Sequence, residues 1–140
     1  MAALPANAQS KIFTAKQLQV LNRLGDIMFP AYDDFPSFST LGCIEHVDDI
    51  AAYLHPQDAE DMGGLLNVFA VCPTVILRFV VWVTQVGQQW PAVGGLVRML
   101  DIGLRSIILT LYFSGKGAGE YTGKTPLELI DYHVTDIPAT

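Results

Sequence analysis

Apolar residues recur at helical spacing along most of this chain. The first clear run follows Thr14: Leu18, Leu21, Leu24 and Met28 lie three or four residues apart, which puts them on one face of an α-helix. Thr14 and Gln17 have the spacing of a capping box, and Phe13 stands where it can staple onto Leu18. Pro30 ends the pattern, because proline lacks an N–H and clashes with the preceding turn. A second helix is expected from Ser39 or Thr40, with Ile44, Val47, Ile50, Ala51 and Leu54 on one face and Glu45, Asp48 and Asp49 on the other. Pro56 suits the first turn of a third helix, which carries Met62, Leu65, Leu66 and Phe69. The Gly63–Gly64 pair weakens that helix by about 1 kcal/mol per glycine, so a neighbour is expected to pack closely there.

Val68 to Val83 is the most apolar stretch. A membrane-spanning helix needs about 20 apolar residues; this run is shorter and contains Pro73 and Arg78. It is predicted to be a buried helix, packed on the core or on another protein, with a strand as the second reading because of its β-branched residues. Pro91 opens the last long helix, whose stripe is Leu96, Val97, Leu100, Gly103, Leu104, Ile107, Ile108 and Leu111. It runs to about Phe113, with Arg98, Asp101 and Arg105 off the stripe. A glycine-rich loop, a short turn at Leu127–His133 and a tail follow. With no internal repeat or domain boundary, the expectation is one all-α domain over residues 1–140: a bundle of five or six helices with ordered loops, and a flexible segment over residues 1–12.

Composition adds one constraint. Hydrophobic residues make up 51% of the chain and charged residues 16%, against an average of roughly 25% charged. Such a surface has few charges to keep it solvated, so either a partner covers part of it or the protein sits near a membrane. The net charge is -6, and no Lys/Arg stripe exists to neutralise phosphates, which argues against nucleic acid. The N-terminal MAALPANAQSKIF has neither a basic region nor a long apolar region, so it does not read as an intact signal peptide. A cytoplasmic origin and the stub of a removed export signal both stay open. Cys43 and Cys72 form no CxxC pair and read as small buried hydrophobes.

The candidate chemistry is sparse. AGEYTGKT, Ala118–Thr125, matches a relaxed P-loop pattern. A P-loop requires a strand before the glycines and a helix after them, aiming N–H groups at phosphate. Here a helix precedes the loop, Pro126 removes an N–H where the exit helix should begin, and 15 residues follow Thr125, too few for the rest of the βαβ framework. Nucleotide binding is not expected. His46 with Asp49 and His55 with Asp58 repeat an H-x-x-D spacing that makes a carboxylate–imidazole metal site conceivable; a solvated acidic face plus a helix cap is the plainer reading. Asp33 and Asp34 are spaced for acid–base work but also suit a turn, and His133 near Asp131 has no nucleophile beside it. A standalone lyase or hydratase using Asp33, Asp34 or His46 is one alternative, and a carrier for an apolar ligand held between helices is another.

Two loops suggest contact with a partner. FPAYDDFPSF, Phe29–Phe38, joins prolines to aromatic residues of the kind that anchor interfaces, and Tyr32, Phe35 or Phe38 is expected at a partner surface, with packing on the first helix as the competing role. Ser114–Pro126 is long and glycine-rich, and a loop of that length is uncommon without a role. Its Tyr121 and Lys124 are expected to touch a partner, Tyr121 by packing and Lys124 through a carboxylate or backbone carbonyl.

The order of these features resembles a known family. TAKQLQVLNRLGDIMFP is followed by the acidic, aromatic AYDDFPSFSTLG, then VDDIAAYL, and near the C-terminus TLYFSGKGAGEYTGKTP and IDYH. Together they are similar to the gluconate 2-dehydrogenase subunit 3 family, small helical subunits of heteromeric bacterial flavin dehydrogenases. The resemblance covers most of the chain and is carried best by its N-terminal third. It implies a non-catalytic accessory subunit that binds no cofactor or metal itself and stabilises a large GMC-type flavoprotein, which holds FAD and oxidises an alcohol or sugar. In exported members the small subunit carries a twin-arginine signal; this sequence shows none.

Overall fold

Thr14 starts α1 (Ala15–Met28) through the capping box that its spacing predicts. The Gln17 N–H donates to Thr14 Oγ1 at 3.3 Å, and the Thr14 N–H donates to Gln17 Oε1 at 2.9 Å. Two orphan N–H groups of the helix start are thereby satisfied. Gln17 then reaches across to α4 (Pro56–Ala70), donating from Nε2 to Gly63 O at 3.1 Å and to Asn67 Oδ1 at 3.2 Å. A side chain on Gly63 would meet Gln17 Nε2 at 3.1 Å, whereas one on Gly64 would meet nothing among the described residues within 4 Å. Close packing thus accounts for the first glycine of the pair and not the second.

The computed structural model describes residues 3–92 and 94–132. They form an all-α domain, and strand pairing among them is limited to one isolated bridge, Tyr32 to Phe35. α1 is the central element, packed against α2 (Phe38–Leu41), α4 and α5 (Thr74–Val86). α6 (Gly94–Tyr112) lies against α5 and against α3 (Val47–Ala51). Leu18, Leu21 and Leu24 of α1 are buried with Phe38, Leu41, Ile44, Leu66, Leu77, Ile108 and Leu111, each such burial contributing about 1.5–3 kcal/mol.

Three boundaries differ from expectation. The second helix is not continuous: α2 begins at Phe38 behind an Ser37 N-cap, and Gly42, at φ 68°, breaks the chain before a 3-10 turn (Cys43–His46) leads into α3. That left-handed conformation suits glycine and terminates a helix. The apolar stretch Val68–Val83 is likewise two helices, split at Cys72–Pro73. Arg23 braces the split from α1, donating from Nη2 to Cys72 O and Thr74 Oγ1, both at 3.1 Å. α6 starts at Gly94, past Pro91, and its stripe buries Leu104, Ile107, Ile108 and Leu111.

Residues 3–12, read from the sequence as flexible, make specific contacts. Ser10 Oγ and the Lys11 N–H both donate to the Asp48 carboxylate, and Leu4 and Ala8 pack on the core. The C-terminal short turn is α7 (Pro126–Leu129), started by Thr125, whose N–H donates to Glu128 Oε2 at 2.7 Å.

Candidate functional site

α5 is apolar on both of its faces. Leu77 and Val81 point into the core. The opposite face carries Val75, Phe79, Trp82 and Val86, at helical spacing, and they are 77%, 60%, 53% and 38% exposed. Ile76 and, at the end of α4, Val71 are exposed beside them in sequence. Phe79 and Trp82 stack with ring centroids 5.8 Å apart. Single exposed apolar residues are ordinary; an aligned apolar helix face with stacked aromatics is the kind of surface that interaction sites present. The expectation of burial for Val68–Val83 therefore holds for the inner face only within this chain. The outer face is the part that the expectation of packing on another protein would fit. Its signal was present: a helix hydrophobic all round has two faces to cover.

The aromatic loop divides between surface and core. Phe38 has no exposed surface; its ring lies so close to α1 that a side chain on Gly25 would sit 2.2 Å from Phe38 Cδ1. This corrects its expected place at a partner surface: Gly25 leaves a notch on α1 and the Phe38 ring fills it. Tyr32 is 78% exposed, while Phe35 is half-buried. The two residues close a tight turn through Tyr32 N–H to Phe35 O at 3.1 Å and Phe35 N–H to Tyr32 O at 2.9 Å. Asp33 and Asp34 occupy the tip, with Asp33 at φ 51°, a conformation that aspartate tolerates in turns. Behind the loop, Phe29 stacks on Tyr112 at 4.3 Å, and the Tyr112 hydroxyl donates to Pro36 O at 2.7 Å. Burial raises the Tyr112 phenol above its ordinary range.

The glycine-rich loop is bound to its own domain. Leu41 O accepts from Ala118 N–H at 2.8 Å, Glu45 Oε2 accepts from Gly119 N–H at 3.2 Å, and Lys116 Nζ pairs with Asp49 Oδ2 at 3.1 Å. His46 Nε2 lies 3.0 Å from Gly117 O, and its Nδ1 lies 3.7 Å from Asp49 Oδ2. Tyr121 is half-buried and folds back over the loop, its hydroxyl donating to Lys124 O at 2.9 Å. A side chain on Gly123 would come within 2.6 Å of that hydroxyl, and one on Gly117 within 3.0 Å of the ring. These glycines make room for Tyr121. Helix α6 precedes the loop, and Thr125 caps α7, so strand–loop–helix geometry for phosphate is absent among the described residues. Lys124 is exposed.

The titratable candidates do not assemble. His46 holds the glycine loop, and His55 caps α4, its Nδ1 accepting from Gln57 N–H at 3.3 Å. Among the described residues no group of three or more His, Cys, Asp or Glu gathers as metal ligands. His133, the partner of the suggested Asp131 dyad, lies outside the described residues. Cys43 and Cys72 are free thiols; Cys43 is buried, and burial pushes its thiol up to about 12. No helix among the described residues is long and apolar enough to cross a membrane. With this geometry in hand, comparison with protein families, curated proteins and solved structures finds no match to the chain.

Proposed function

We propose that this chain is a small, non-catalytic subunit that docks onto a larger protein through the outer face of α5. The observation that carries this reading is the aligned exposure of Val75, Phe79, Trp82 and Val86. Large hydrophobic surfaces of this kind are buried in obligate complexes, and stacked aromatics supply the anchors that dominate their energetics. The resemblance of the N-terminal third and the C-terminal loop to accessory subunits of flavin dehydrogenases names the partner: a GMC-type flavoprotein that holds FAD and performs the oxidation. Exposed Tyr32 and Lys124 are secondary contacts in this proposal, and the exposed part of Tyr121 is a third.

The lyase or hydratase alternative draws no support from the site geometry. Asp33 and Asp34 form a turn tip, and His46 is engaged with Gly117. The test is to co-express the chain with a candidate GMC-type flavoprotein and purify through a tag on the small chain. Stoichiometric recovery of a flavin-containing complex with dehydrogenase activity supports the proposal. Recovery of the small chain as a stable monomer, with the flavoprotein fully active without it, overturns it.

A further inference from the structure

A concave region lies between α4 and α6, apart from the outer face of α5. It encloses about 640 Å³ and is walled by Leu54, Met62, Leu65, Val68, Leu100 and Ile107. That volume falls within the roughly 300–1,000 Å³ of small-molecule sites. Two glycines help to open it. Gly64 on α4 lines the groove and has nothing among the described residues within 4 Å of where a side chain would begin. Among the described residues, Gly103 on α6 faces the Met62 methyl, at 3.3 Å, and methionine is the side chain that adapts most readily to a bound shape. Gly64 has no packing partner among the described residues to account for it and weakens α4 by about 1 kcal/mol relative to alanine. It leaves space where a helix would ordinarily carry a side chain.

The groove is polar at one place. Asp58 and Asp61, one helical turn apart on α4, lie on its edge, so their side chains are neighbours. No Lys, Arg or His is among its described lining residues, and the chain as a whole carries a net charge of -6. An anionic head group would face two carboxylates and a neutral one would gain little, while a cation is attracted. We infer that this groove binds a small amphiphile with an apolar body and a single cationic head, the body between α4 and α6 and the head at Asp58 and Asp61. This site does not depend on the proposed docking of α5, and the purified chain tests it directly.

The probes are dodecylammonium, dodecanol and dodecanoate, each titrated below its aggregation limit by equilibrium dialysis. Saturable 1:1 binding is expected for dodecylammonium, about tenfold tighter than for dodecanoate, the factor that two exposed ion pairs supply. Gly64→Leu fills the open space with a better helix former; it should abolish saturable binding without lowering the melting temperature. Gly64→Ala should weaken binding by a smaller factor. Asp58→Asn with Asp61→Asn, both at exposed positions, should leave the fold intact and bring the cationic and anionic probes to within about threefold of each other. Four outcomes overturn the inference: no saturable binding, equal affinity for the three heads in the unmodified chain, binding that survives both Gly64 variants, or a dimer that Gly64→Leu disperses. The last would assign the groove to a second copy of the chain.

Discussion

Replacing Gly25 with alanine should destabilise this protein, although the same change stabilises most helices. In the interior of a free helix, alanine is favoured over glycine by about 1 kcal/mol. Here the added methyl would lie 2.2 Å from Phe38 Cδ1, 2.3 Å from Cγ and 2.7 Å from Cε1. Ordinary contact begins near 3.4 Å, so the ring must retreat by about 1 Å. Phe38 is fully buried among α1 and α2 residues, and a closely packed interior gives little way. Overpacking costs about 1–3 kcal/mol and occasionally more; a direct collision with a ring belongs at the upper end. Net of the helix preference, Gly25→Ala should cost about 2 kcal/mol in urea unfolding followed by circular dichroism. The Phe38→Ala variant alone should cost about 3–5 kcal/mol. In that background Gly25→Ala should become neutral or stabilising, because the obstructing ring is gone. A stabilising Gly25→Ala in the unmodified chain would show that Phe38 does not occupy the notch, and would return it to the candidate partner contacts.

Asn22 is 1% exposed, and neither its Nδ2 nor its Oδ1 has a hydrogen-bond partner among the described residues; a buried unsatisfied polar group costs about 1–3 kcal/mol, so Asn22→Leu should raise the urea midpoint. Cys72 should react with a thiol reagent at neutral pH well before Cys43, and equal rates would show that the core around Cys43 opens readily. Because burial raises the Cys43 thiol from 9.0 to about 12, it adds no pH dependence below about 9. Above that the unfolded chain releases the proton while the folded chain keeps it, so stability should fall by up to about 1.4 kcal/mol per pH unit, a slope that Cys43→Ala removes. His46→Ala should cost about 1 kcal/mol and increase amide exchange at Ala118 and Gly119; unchanged exchange would show that the glycine loop is held without it.

Elements governed by local rules were legible in the sequence. The Thr14–Gln17 box and the stop before Pro30 depend on neighbours three or four residues away and stand as read; along α6, Leu104, Ile107, Ile108 and Leu111 of the expected stripe are buried, but so is Asp101, which was expected off it. What the sequence concealed depends on partners distant along the chain. Phe38 resembled a surface anchor because its socket is the absence of a side chain at Gly25, thirteen positions earlier. The glycine loop resembled a docking element because its ties to Leu41, Glu45 and His46 are long-range. Within the candidate site, high hydrophobicity in Val68–Val83 was plain, but periodicity could not separate a face buried by this chain from a face left for another protein.

That separation is what a binding measurement on α5 provides. Phe79→Ser with Trp82→Ser removes two exposed, stacked rings whose loss leaves the core residues Leu77 and Val81 in place. In the isolated chain the pair should change stability by less than about 1 kcal/mol, as surface substitutions do. At an interface, anchors of this type contribute about 1–3 kcal/mol each, so affinity for the proposed flavoprotein partner should fall by at least tenfold. A double variant that binds the flavoprotein with undiminished affinity would place the interface elsewhere on the chain and remove the ground for reading α5 as a docking face.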